Sequence, residues 1–565
     1  MTTAARPDKS HASVDREDAG FQRRLGPFDV TMLVIGTMIG SGIFVTSADI
    51  ARDVGSTGWL LAIWGLAGVM TILGALSYSE LAAAMPHAGG QYVFLREAYS
   101  PMWGFLYGWT CFLVIQTGSI AAVAVVFAKY LGVLVPALGT DNEIFKIANV
   151  NLKLYLPFSV PFLNDEQGNQ LPFFEMKHFT ISAGQLVAVV VIAFLTWLNC
   201  RGVQEGKFVQ NLMTVAKTLA LVLLILIGLF VVGSAVVWQA NASDLWGGIQ
   251  ETDTYQGIGR RVGAATWVIA LMVAGGAMVG ALFSADAWNN ITFTAGETRN
   301  PRRTLPLSLA LGTGTVILLY LLANVAYVSA LPVRPTPKVK EKLSKLQEQL
   351  ELLEKQERKE EAKKVKAELD AIPASERGIA RARDDRVGTA VLELWSPNFG
   401  APLMAIAIMI STFGCVNGMT LMGARLYCVM ARDKLFFQGV GHLNRRSVPA
   451  VGLVLQGAWS ILLVFSGTYN ELLDYVIFAV LVFYVLTVTG LFVLRRTQPY
   501  LERPVKAFGY PVLPALYVFL CAAIMLDLLI VKPKYTWPGL IIVLTGIPVY
   551  FLWRWRGRSA PAPGP

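Results

Sequence analysis

Twelve times along 565 residues the chain runs through a stretch of mostly apolar residues long enough to cross a lipid bilayer. A helix rises ~1.5 Å per residue and a bilayer core is ~30 Å thick, so about twenty apolar residues suffice. No water is available there to pair an open backbone N–H or C=O, which leaves helices as the form such stretches take. The runs lie at 28–48, 58–84, 102–135, 180–199, 211–237, 264–294, 305–331, 400–430, 450–467, 471–494, 511–531 and 537–555. They predict an all-α integral membrane protein with twelve transmembrane helices.

Composition agrees with that solvent: 54% of the residues are hydrophobic and 15% charged, far from the balance of a soluble domain. An ordinary soluble enzyme and a disordered chain are excluded. The net charge of +10 does not indicate nucleic acid, because the basic residues sit in short tracts between apolar runs and form no aromatic-interleaved basic face. Cys111, Cys200, Cys415, Cys428 and Cys521 lie in or beside apolar segments without a CxxC pair, and His11, His87, His178 and His442 are scattered. No disulfide framework, metal site, cofactor or catalytic residue is expected.

Lysine and arginine are more than twice as frequent in the alternate tracts that begin with the N-terminus as in the short loops between them, which places both termini in the cytoplasm. The expected order is a disordered tail at 1–27 without the apolar core of a signal peptide, spans 1–7 at 28–331, an extracytoplasmic connection at 332–399, spans 8–12 at 400–555, and a tail at 556–565. The long connection is left out of the charge comparison because segments of that length cross largely regardless of charge. It holds 27 charged residues between Arg334 and Arg386. Leu343, Leu346, Leu350 and Leu353 repeat there at helical spacing, and Glu341-Lys345, Glu351-Lys355, Glu354-Arg358 and Glu360-Lys364 are i, i+4 pairs. A soluble helix of about thirty residues is expected, either as a solvated appendage or as a lid or docking coiled coil.

Residues that cost free energy inside a membrane are the informative ones. In the first span, Ile35 to Phe44 carries Gly36, Gly40, Gly42 and Ser41, each glycine costing ~1 kcal/mol against alanine in a helix. A break there turns the N–H groups of a new half-helix toward a neighbouring anion; close helix packing is the competing explanation. The sixth span, Gly275 to Asn290, combines glycines with Asp286, and an ionisable residue at that depth faces a polar cavity. Interruptions five spans apart are the mark of an inverted-repeat transporter with its site at the midplane. Lys217 in the fifth span either snorkels to the cytoplasmic surface or is a buried ammonium standing where a metal ion would sit, able to exchange protons.

These strings resemble the amino acid/polyamine/organocation (APC) superfamily, most closely its L-type amino acid transporter branch. The resemblance rests on Gly36 to Phe44, on ELAAAMPHAGGQY from Glu80 to Tyr92, on FSADAWNNITFTAGETRNP from Phe283 to Pro301, on STFGCVNGMTLMGARLYCVMARD from Ser411 to Asp433, and on LERPV from Leu501 to Val505. It implies a LeuT-type fold, a 5+5 inverted repeat with broken helices 1 and 6 and two further helices appended. It also implies that the carboxylate of an amino acid meets backbone N–H groups at Gly40, Ser41 and Gly42, and that its ammonium meets carbonyls at Met38 and along Phe283, Ser284, Ala285 and Asp286. Phe283 and Trp288 match gate or side-chain pocket positions, and Lys217 matches the lysine that replaces sodium in sodium-independent relatives. No cysteine lies between residues 112 and 199, so the disulfide-linked heavy chain of mammalian relatives is not expected.

The expected function is therefore a secondary amino acid transporter in the plasma membrane, or the inner membrane of a bacterium. It works by alternating access as a sodium-independent exchanger or proton-coupled symporter, and it is not an enzyme. A neutral amino acid is the first choice of substrate, with cationic amino acids or polyamines next because of Asp286; nucleic acid is not a partner. A sodium-coupled transporter drawing ligands from Ser411 and Thr412, and a transport-inactive sensor, are the alternatives. The sequon Asn241-Ala242-Ser243 is expected outside.

Overall fold

The structure is a computed structural model that describes residues 20–140, 142–147, 152–155, 170, 174–176, 179–356, 358–466 and 469–558. The expected tails therefore lie largely outside the described residues, at 1–19 and 559–565. Within the described residues, eleven helices are long and apolar enough to cross a membrane.

In chain order the helices that matter here are α1 (Pro27–Met38), α2 (Gly42–Val54), α3 (Thr57–Ala84), α4 (Pro101–Leu134), α5 (Ala183–Arg201), α6 (Val203–Val231), α7 (Thr266–Ser284) and α8 (Pro301–Ala330). They continue as α9 (Pro337–Lys355), α10 (Lys359–Asp370), α11 (Val387–Trp395), α12 (Gly400–Arg432), α13 (Ala450–Val464), α14 (Tyr469–Thr497), α15 (Val512–Val531) and α16 (Pro533–Arg558). The first span is thus α1 and α2, two half-helices. The ninth expected span corresponds to α13, whose fifteen residues reach only ~22 Å at 1.5 Å per residue. The fifth begins earlier than expected, at Val203, because its polar first turns continue the helix past the apolar run.

Local chemistry sets the ends. Pro27 opens α1, where its missing N–H is no loss, and the Asp29 carboxylate accepts from the Gly26 N–H at 3.0 Å. At the start of α5, Ser182 and Gln185 cap each other: the Gln185 N–H donates to Ser182 Oγ at 3.2 Å and the Ser182 N–H to Gln185 Oε1 at 2.9 Å. Helix α8 packs on α3 and α1, α12 on α4 and α6, and α7 on α2, so both interrupted spans run through the middle of the bundle.

Two features outside the bundle were not expected. Between α4 and α5, β1 (Glu143–Ile147) pairs with β4 (Phe179–Ser182) and β2 (Leu152–Leu154) with β3 (Phe174–Met176), both antiparallel. The charged stretch after α8 is not one helix of about thirty residues: α9 and α10 fold back on each other. Leu343, Leu346 and Leu353 of α9 bury against Ala362, Val365 and Ile372, a small core of its own. A single straight helix would leave that leucine seam in water. Glu341 and Lys345 pair as expected, at 2.7 Å, whereas Arg358 turns to Glu361 beyond the bend.

Asn241 of the sequon is a structural tie. Its side-chain N–H donates to Val328 O at 2.7 Å and Leu331 O at 2.9 Å, and its oxygen accepts from the Val333 N–H at 3.0 Å. Buried and engaged in this way, it is no glycan acceptor in the folded chain.

Candidate functional site

The first break falls at Ile39–Ser41, between α1 and α2, and the second at Ala285–Ala287, between α7 and a 3₁₀ stretch at Trp288–Glu297. Ala287 holds a left-handed backbone at φ 67°, which lets the chain change direction without glycine. The two breaks meet. Gly42 lies so close to Ser284 that an added Cβ would stand 2.7 Å from the Ser284 Cβ and 3.1 Å from its Cα, so only a residue without a side chain fits.

Between them is a small cavity of about 30 Å³. Of the site residues read from the sequence, Met38, Gly40, Ser41, Gly42, Phe283, Ser284 and Asp286 line it together. Ala285 and Trp288 do not. Trp288 lies on the far side of the second break, 1% exposed, its ring 4.8 Å from Tyr78 and 5.3 Å from Tyr484.

Lys217 does not snorkel. It is completely buried, and its ammonium donates to three backbone carbonyls: Gly36 at 2.5 Å and Ile39 at 2.8 Å beside the first break, and Ser411 on α12 at 3.1 Å. One ammonium has three protons, so the set is complete. Ser411 Oγ adds contacts to the carbonyls of Ile39 at 3.0 Å and Gly40 at 2.8 Å. Thr412 turns back to its own helix, donating to Ile408 O at 2.8 Å.

Several residues that shape this site carry no sequence signal of their own. The Tyr320 hydroxyl on α8 lies 3.0 Å from both Met38 O and Ser284 O, spanning the two breaks. The Tyr484 hydroxyl donates to Asp286 Oδ1 at 2.5 Å. Asn289 donates to Gln91 Oε1 at 2.8 Å and Asn290 to Gln116 Oε1 at 3.2 Å, which ties the segment after the second break to the interior. Ser119 on α4 and Cys415 and Met419 on α12 also line the cavity. A tyrosine or serine in an apolar run looks the same whether it packs or binds, so only its tertiary partners distinguish it. Asp527 on α15 is a further acid in an apolar span; both its oxygens are buried without a hydrogen bond among the described residues, against Gly275 of α7.

On one side of the bundle the core is sealed by ion pairs. Arg425 of α12 meets Glu297 at 3.2 and 3.1 Å with both side chains 1% exposed, and Glu80 accepts from Arg495 at 2.9 and 2.5 Å. On the other side a vestibule of about 990 Å³ opens above Phe283, bordered by Asp49, Asp53, Asp253 and Asp385. Arg52 of α2 pairs there with Asp385 at 2.5 Å and donates to Ala380 O at 3.1 Å, which joins the half-helix to the connection beyond α10.

The amino acid permease family model matches residues 25–349 and 375–551. The chain is similar to human b(0,+)-type amino acid transporter 1, 28% identical over 549 residues that cover 96% of this chain and 91% of the relative. It is also similar to mouse large neutral amino acids transporter small subunit 2, 26% identical over 552 residues, 96% of this chain and 83% of the relative. The interval the family model skips, 350–374, covers the last turns of α9 and the whole of α10.

Proposed function

The chain belongs to the amino acid permease family, and we propose that it carries amino acids across the plasma membrane by alternating access, as a sodium-independent exchanger or proton-coupled symporter. It is a multi-pass membrane protein and not an enzyme. The observation that carries the reading is the cavity between the two breaks, with the N-terminus of α2 on one wall and the Asp286 carboxylate on another. The partial positive charge and open N–H groups of a half-helix suit a carboxylate, and the carbonyls of Met38 and Ser284, which share the single proton of the Tyr320 hydroxyl, keep lone pairs that suit an ammonium.

Sodium independence follows from Lys217. A sodium ion between α1 and α12 would need oxygens there, and the Gly36, Ile39 and Ser411 carbonyls already hold the lysine ammonium. With the cytoplasm on the side of the Glu297–Arg425 pair, the conformation is outward-facing, and both termini are cytoplasmic. Coupling then requires substrate to bind the two facing states unequally, since equal binding shifts nothing.

Asp286 favours substrates with a second positive charge, because this acid in the cavity lining meets the Tyr484 hydroxyl and pairs with no cation among the described residues. Uptake of a radiolabelled amino acid panel into proteoliposomes tests both statements, in sodium or choline buffer, with and without internal amino acid and with an inward acid gradient. Equal uptake in the two buffers is expected. Asp286→Asn should lower uptake of cationic relative to neutral amino acids by about tenfold or more, the value of one charge-assisted contact. Uptake seen only with sodium would overturn the Lys217 argument.

A sensor would transmit through the hairpin of α9 and α10, a carrier would not. Replacing residues 338–370 with a short glycine-serine linker leaves Arg52 and its partners Ala380 and Asp385 in place. The expected result is uptake within about twofold of the parent, as for a surface addition outside the core; loss of uptake from a protein that still purifies as a single species would favour signalling or gating through the hairpin.

A further inference from the structure

Residues 20–26 form a non-helical strap at the end of the bundle that the Glu297–Arg425 pair seals. Pro27 opens α1, and the residue before a proline is pushed toward extended backbone, as Gly26 is at φ −85° and ψ 173°. Extended chain has N–H and C=O groups to pair, and here the segment after the second break takes them up. The Leu25 N–H donates to Glu297 O at 2.9 Å and the Arg299 N–H to Leu25 O at 2.9 Å, a parallel bridge of Leu25 with Thr298. Arg299 Nε adds a bond to Arg23 O at 3.3 Å, and the Leu25 side chain is completely buried. The strap is thus fastened to α1 at one end and to the 3₁₀ stretch at Trp288–Glu297 along its edge.

Its first residues rest on a different helix. The Arg432 guanidinium stands over the Phe21 ring at 5.0 Å, and an added Cβ on Gly20 would meet Leu443 Cδ1 at 3.2 Å. Arg432 lies in the last turn of α12 and Leu443 in the chain that follows it. Arg425 and Arg432 are seven residues apart, so they share one face of α12 about 10 Å apart along its axis. The first meets the Glu297 carboxylate and the second the Phe21 ring. These two partners are tied to each other, because Glu297 also supplies the carbonyl that the Leu25 N–H bonds. Helix α12 therefore grips one connected unit in two layers. The inner layer is a charge pair 1% exposed on both sides. The outer one is a cation over a half-buried ring, a weaker contact that solvent already reaches. Parting α12 from this unit has to break both, and the outer layer gives way first.

We propose that residues 20–26 are a latch on the cytoplasmic gate. Phe21 seated on Arg432 holds the outward-facing state; its release, with Leu25 staying on Glu297, begins the change to the inward-facing one. The sidedness rests on the transport reading, and the contacts do not. Phe21 then sets how the two facing states are populated from outside the substrate cavity, by a differential contact made in one state only.

The test uses the full chain in nanodiscs, with spin labels on Gln22→Cys and Arg445→Cys, both exposed positions on the two sides of the latch. Cys200 is replaced by serine, since the other native cysteines are buried. Distances are read by double electron–electron resonance, with and without L-arginine or L-leucine. The expected result is a short distance that dominates in the parent and a longer one whose share rises several-fold in Phe21→Ala and in Arg432→Gln. Phe21→Tyr, which keeps the ring, should match the parent, and the double variant should shift no further than either single change, because one contact is lost only once. In uptake assays Phe21→Ala should raise the external KM several-fold, as a smaller outward-facing fraction requires. The same distances in parent and Phe21→Ala, an unchanged KM, or fully additive shifts in the double variant would overturn the latch. A distance shift intact in a protein whose parent shows no uptake would count against the transport reading alone.

Discussion

Lys217→Met is expected to abolish uptake, to below about one hundredth of the parent, in protein that still reaches the membrane. Methionine fills nearly the same space, so the change removes the charge and three donors and little packing. It leaves the carbonyls of Gly36, Ile39 and Ser411 facing an apolar side chain. Each unpaired buried group costs ~1–3 kcal/mol, and 1.4 kcal/mol is about a factor of ten. The loss falls on the place where α1 and α12 hold the first break, so it should appear in flux before it appears in thermal stability. Uptake and a thermal melt of the same preparation check this. Near-normal flux from Lys217→Met would show that the ammonium only packs, and the case for sodium independence would lose its physical basis.

Gly42→Ala is the second large effect. The added methyl would collide with Ser284, including its backbone Cα at 3.1 Å, so one half-helix has to move. Overpacking of a tight contact costs ~1–3 kcal/mol, and here it separates the two walls of the proposed substrate cavity. Binding should weaken about tenfold to a hundredfold, read as a rise in KM or as loss of substrate-induced thermal stabilisation. Gly314→Ala is the matched control: it also lies in a membrane helix, yet an added Cβ meets nothing within 4 Å, so uptake should be unchanged. Equal behaviour of the two variants would sink the claim that the breaks must touch.

The two effects are additive only in part. Lys217 and Gly42 act on opposite ends of the same three-residue break, Ile39–Ser41, and neighbouring sites couple. The buried Glu297–Arg425 pair is coupled to neither by direct contact and seals the other face. Taking one partner away would leave a buried charge uncompensated, so that pair must be opened as a unit whenever the core opens on that side.

Much of this protein was legible before any coordinates. Apolar run length identified the membrane helices because bilayer thickness leaves few other solutions. The glycines of Ile35–Phe44 and the acid at Asp286 marked both breaks, since each is costly in a spanning helix. Run length alone did not show that α13 is only fifteen residues long, and the leucine seam at 343–353 found its partner in α10 rather than extending alone. An amphipathic pattern states that a face must be covered and does not say by what.

What the sequence by itself determined, then, is the class of protein, the places where helices must break, and the charges too expensive to be incidental. Only the tertiary structure decided that Gly42 touches Ser284, that Lys217 points inward to three carbonyls, that Tyr320 reaches both breaks, and that Tyr484 meets Asp286. The reason is that helical periodicity and transfer cost are local quantities, set by a residue and its near neighbours. A hydrogen bond between residues hundreds of positions apart depends on how the helices pack, and no local pattern records it.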